Sequence, residues 1–168
     1  MALELNGTTG VSAVQAGAVQ SGDLPAGSVI QVVSEKLANN FSTTSTSAVD
    51  VTGFNASITP ISATSKIFII VSARVSNSSG SNINNRGIVY LAKNSSFLSS
   101  YLIGAFLGGV SGNNLNNYHS VSLTHLDSPG LTSEITYKIQ IDSETSSNTM
   151  TVNSADGASV ITLMEIAG

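Results

Sequence analysis

The stretch Lys66–Val75, KIFIIVSARV, limits what this chain can fold into more than any other. Ile67, Ile69, Val71, Ala73 and Val75 alternate with Lys66, Phe68, Ile70, Ser72 and Arg74, so a two-residue period places each set on its own face of a strand. The first set is apolar throughout; the second starts apolar and turns polar only at Ser72. A strand that is apolar on both faces over its first half is expected in the middle of a sheet, covered on both sides. The Ser/Thr-rich run before it, from Ser42, is broken by Gly53 and Pro60 and reads as two short strands, Ser47–Thr52 and Asn55–Thr59.

Further strands follow at regular spacing. Ser28–Glu35, Gly87–Lys93, Ser100–Phe106, Tyr118–Leu126 and the short Thr149–Asn153 all alternate, and Glu134–Asp142 does so most clearly, with Ile135, Tyr137, Ile139 and Ile141 on one side. Ala158–Ile166 is apolar on both faces, like Lys66–Val75, and is expected mid-sheet or at a subunit interface. Asp156-Gly157 is a hairpin signal, and Pro129 in LDSPG marks the end of pairing. Nine or ten short strands, with turn clusters between them and no helix of useful length, predict an all-β sandwich, and eight long ones a jelly roll.

Residues 1–27 stand apart from the predicted sandwich domain, 28–168. Gly7, Gly10, Gly17, Gly22 and Gly27 recur too closely for a helix, each costing about 1 kcal/mol there. Yet Leu3, Leu5, Val11, Val14 and Val19 would be wasted on a free tail. The expectation is an extended segment that gains order by intertwining with copies of itself or by docking on a partner.

Composition narrows the function. Only 10% of the 168 residues are charged, the net charge is −4 and cysteine is absent. That removes a basic face for nucleic acid and any disulfide or thiolate metal site. No apolar run approaches the roughly 20 residues of a membrane span, and the N-terminus lacks a basic, apolar leader pattern. The motifs of catalysis are missing too: no GxSxG, no P-loop, no dinucleotide fingerprint. His119 and His125 share a strand face but lie about 20 Å apart at 3.3 Å per residue, too far to hold one metal, and read as surface or pore-lining residues. Asp142 and Glu144 end a strand and Asp127 caps a turn, without an embedding that makes a catalytic carboxylate pair. Asn55-Ala-Ser57, Asn77-Ser-Ser79 and Asn94-Ser-Ser96 match the glycosylation pattern, as chance allows in so Asn/Ser-rich a chain. No catalytic residue, metal or cofactor is therefore expected.

Two Asn/Ser/Gly-rich loops, Ser76–Arg86 and Gly108–Asn117, are the surface best suited to contact. Asn82, Asn84, Asn85, Asn113, Asn114 and Asn116 offer amides to a polar polymer such as a host surface polysaccharide, and Tyr90, Tyr101 or Tyr118 a stacking face. Solvated connections would have the same composition.

The run STTSTSAVDVTGFNASITPISATSKIFIIVSA, then LTHLDSPG, ITYKIQI and VITLMEI, resembles a recurrent β-domain of virion structural proteins of tailed bacteriophages, notably environmental and cyanobacterial ones. The opening LELNGTTGVSAVQAGAVQSGDLPAG is similar to N-terminal segments of the same proteins. The resemblance implies a non-enzymatic homotrimer on the particle surface, made in the bacterial cytoplasm: a tail fibre or its receptor-binding tip. A capsid decoration, cement or head-fibre protein is the first alternative, and a carbohydrate-binding adhesin module the second. It carries over no functional residue.

Overall fold

The computed structural model describes residues 23–79, 87–105, 117–153 and 158–168, and among them there are ten strands and no α-helix. They are β1 (Val29–Lys36), β2 (Phe41–Thr43), β3 (Val49–Ile58), β4 (Lys66–Ser79), β5 (Gly87–Lys93), β6 (Ser96–Ala105), β7 (Asn117–Asp127), β8 (Ile135–Ser143), β9 (Asn148–Val152) and β10 (Val160–Ile166).

Fourteen-residue β4 organises them. Along one edge it pairs with β10 over Lys66–Ser72 and then with β9 over Val75–Ser79; along the other it pairs with β7 over Ile67–Asn77. β1 pairs with β10 and β2 with β9, so β1 and β2 form one interrupted line, and β10 and β9 another. The sheet is thus four lines wide: β1/β2, β10/β9, β4, β7. The second sheet runs β3-β8-β5-β6. Every connection between successive lines crosses from one sheet to the other, save the β5–β6 hairpin. Eight antiparallel lines with this order are a jelly roll.

The core lies between the sheets. Ile67, Ile69, Val71 and Val75 of β4 face Ile135, Tyr137, Ile139 and Ile141 of β8, all fully buried, with Phe54 of β3 among them. Burying each such side chain contributes about 1.5–3 kcal/mol.

Four expectations change. Phe68 and Ile70 on the second face of β4 are only half-buried, because none of the described strands lies outside that sheet to cover them. The two strands expected at 47–52 and 55–59 are one, β3, whose pairing with β8 shifts register between Asp50 and Asn55. Gly53 sits in that shift with φ +80°, a left-handed conformation that suits glycine. β4 continues to Ser79, so 76–79 are strand rather than loop. And β9 and β10 do not form a hairpin around Asp156-Gly157, which lies outside the described residues; both pair with β4, end to end along one edge.

A turn the sequence hides joins β5 to β6: Lys93 pairs with Ser96, and Asn94 takes φ +51°. The Asn94 N–H donates to the Thr136 carbonyl at 2.7 Å and its Oδ1 accepts the Thr136 N–H at 3.0 Å, tying the turn to β8.

Candidate functional site

Strand registers give the sandwich two unlike ends. β1 begins where Val29 pairs with Ile166, and Ile166 with Lys66, so the chain enters beside the start of β4. There the Gly27 N–H donates to the Ala167 carbonyl at 2.8 Å, and Leu24 lines a cleft with Ile30, Ile61 and Ala167. Ser79 ends β4 and Asn117, paired with Asn77, begins β7; Gly87 begins β5, and Ala105, paired with Ile88, ends β6. All four therefore lie at the opposite end, about 40 Å away along β4 at 3.3 Å per residue. The connections 80–86 and 106–116 leave from that end.

Asn82, Asn84, Asn85, Asn113, Asn114 and Asn116 fall within those connections and lie outside the described residues, as do Leu3, Leu5, Val11, Val14 and Val19. Of the tyrosines, Tyr90 packs its ring against Phe97 at 5.3 Å and donates its hydroxyl to Asp142 Oδ2 at 2.9 Å. Burial and that carboxylate push the Tyr90 hydroxyl up to about 12. Tyr118 lies under the Arg74 guanidinium, 5.2 Å from its centroid, a contact on the outer face of the first sheet. The Tyr101 side chain is outside the described residues.

The carboxylates stand in structural roles. Asp127 does not cap a turn: it ends β7 facing inward, accepting from Lys93 Nζ at 2.9 Å and from the Tyr137 hydroxyl at 2.7 Å. Burial pushes its carboxyl up, but these two donors outweigh it and hold Asp127 below the ordinary carboxylate range. In return, burial and the Asp127 carboxylate drive the Tyr137 hydroxyl far up. Glu165 is fully buried on the inner face of β10 and pairs across Ile67 from Asp127, since both are register partners of that residue. It accepts from the Ile61 N–H at 2.8 Å and from the Gln31 side chain. Desolvation raises its carboxyl, yet the hydrogen bonds from the Gln31 amide and the Ile61 N–H hold it below its usual value. His119 and His125 share one face of the edge strand β7, opposite Val75 and Ile69, and are half-buried there. No cluster of three metal-ligating side chains occurs among the described residues.

The two outer faces differ. That of β3-β8-β5-β6 is polar over β3 and β8, where Asp50 bonds Lys138 Nζ at 2.7 Å and also Gln140 and Ser57 bonds Thr136 at 2.7 Å, and apolar over β5 and β6, where Tyr90 and Phe97 lie. That of β1-β10-β4-β7 carries an apolar row in register across four strands, Val32–Met164–Phe68–Leu126. Val32 and Leu126 are 55% and 50% exposed, and Met164 and Phe68 half-buried between them. Sequence reasoning saw that β4 and β10 were apolar on both faces but not that one face was left open.

No protein-family profile matches the sequence, and no curated protein is similar to it. Solved structures with a similar fold include the VP2 subviral particle of infectious bursal disease virus, at 15% identity and TM-score 0.42, covering 84% of this chain and 38% of that one. A structure of the Gx strain of the same virus matches at 15% identity and TM-score 0.40, covering 83% and 33%. This chain thus spans about a third to two-fifths of the length of those it matches. The jelly-roll assignment rests on the strand order above and not on these likenesses, whose TM-scores lie below 0.5.

Proposed function

We propose that this chain is a non-enzymatic virion structural protein, a homotrimer acting as a tail fibre or its receptor-binding tip. The observation that carries the reading is the polarity of the sandwich: the N-terminal segment joins at one end, and both Asn/Ser-rich connections leave from the other. A protein that docks on a particle at one end and meets a host surface at the other needs this arrangement. The rigid sheets between let the loops vary without disturbing the core. Leu3, Leu5, Val11, Val14 and Val19 are assigned to docking on other virion proteins. Asn82, Asn84, Asn85, Asn113, Asn114 and Asn116 are assigned to a host surface polysaccharide. Each amide contributes about 1 kcal/mol at most, so affinity comes from three copies acting together.

The test replaces 80–86 and 108–116 with Gly/Ser of equal length. Melting temperature and assembly should hold while adsorption of the particle to host cells collapses. Unaltered adsorption with fragile particles would refute receptor binding in favour of capsid decoration. Specific binding of a polysaccharide by the free protein, with no incorporation into particles, would favour the adhesin module.

A further inference from the structure

We infer that the outer face of the β1-β10-β4-β7 sheet is the surface through which copies of this chain join, each laying it against a different, acid-bearing part of the next. This rests on the homotrimer reading and names the contact behind it.

Three observations converge. The row Val32–Met164–Phe68–Leu126 crosses four strands, about 14 Å at 4.8 Å per strand, with Ile70 beside Phe68 on the same face. The neighbouring polar residues are hydroxyls, such as Ser34 and Thr162, bonded to each other at 2.9 Å, which cost little to cover. The outer face of the other sheet carries a charged network over β3 and β8, and its apolar residues Tyr90 and Phe97 are confined to the β5–β6 side, so no apolar row crosses it from edge to edge.

Charge selects the occupant. Among the described residues, the charged side chains on this face are Lys36, Lys66 and Arg74, three of the chain's six bases, with no acid beside them. The rest of the chain sets three bases against ten acids. A two-fold contact of this face with itself would bring cations to cations, whereas contact with another part of the next copy brings them toward that acidic excess. A trimer requires contact between unlike patches, which closes into a ring when each copy is turned by a third of a circle from the last.

The experiment compares native masses of the full chain, Val32→Asp/Leu126→Asp, and the control Asn55→Asp on the outer face of the other sheet. Both row positions are half-exposed, so the aspartates leave the fold intact by circular dichroism. Wild type and control should run at three times 17.1 kDa, and the double variant as a monomer. A trimeric double variant overturns the surface and leaves the trimer standing. A monomeric wild type at micromolar concentration overturns both. Should the aspartate variant fail to fold, Val32→Thr/Leu126→Thr is expected to raise the dissociation constant at least tenfold, and an unchanged constant overturns the inference.

Discussion

Replacing Glu165 tests how the N-terminal end of the sandwich is held. Its carboxylate is fully buried and held by neutral donors, and it fixes the segment between β3 and β4 through the Ile61 N–H and β1 through Gln31. A hydrogen bond to a charged group contributes about 1.5–3 kcal/mol, so Glu165→Ala removes two such bonds. The loss is at the low end, because the Gln31 amide keeps its bond to the Thr59 carbonyl at 2.8 Å and Ile61 lies at the surface, where water reaches its N–H. Relief of the buried charge subtracts further. The net cost expected is about 2–3 kcal/mol, a fall in Tm of roughly 4–12 °C for a domain of this size. Glu165→Gln keeps one acceptor and should cost about half as much. Urea unfolding at pH 7 measures both. The pH dependence has a fixed sign: a carboxyl held below its usual value stabilises fully above that value, and the contribution is lost as pH falls through the folded one. The gap between wild type and Glu165→Gln should therefore narrow from pH 6 to pH 3. A Glu165→Ala variant within 0.5 kcal/mol of wild type, or a gap that widens in acid, would refute the reasoning.

Asp127→Asn should cost about 2–3 kcal/mol in urea unfolding, less than a wholly buried ion pair because the Lys93 side chain keeps 29% exposure through which water reaches it. Its effect should also shrink below pH 4, since Asp127 too is held low in the fold. Gly53→Ala forces a Cβ into φ +80° and should cost about 1 kcal/mol by thermal melt, through backbone strain alone, as its nearest foreign atom would be Leu37 Cδ1 at 3.9 Å.

Period is a local property, and it showed where the strands lie. Ile135, Tyr137, Ile139 and Ile141 alternate because one side meets a core, and β8 occupies almost the span that alternation marks. Pairing is not local, and the misread elements are those that depend on it. Gly53 looks like the end of a strand, yet β8 offers partners on both sides of it, so the strand continues through a register shift. Asp156-Gly157 looks like a hairpin, yet β4 is long enough to take β9 and β10 in succession, and neither needs the other. The β5–β6 hairpin turns on Asn94-Ser95, which lacks the glycine that would announce it, and its left-handed Asn94 is stabilised instead by Thr136 from a distant strand.

Glu165 was legible in part. In VITLMEI it falls in step with Ile161 and Leu163, so a strand with that face inward must bury a carboxylate. Its donors, Gln31 and Ile61, come from other elements and carry no local signature. The open face of β4 marks the same boundary from the other side. Alternation established that Phe68 and Met164 are apolar beside polar neighbours, but the residues that make them one row, Val32 and Leu126, join through three separate registers. Each of those two is unremarkable alone, since single exposed apolar residues are common on any protein surface. Only register turns them into a surface four strands wide, and none of the other described strands covers it.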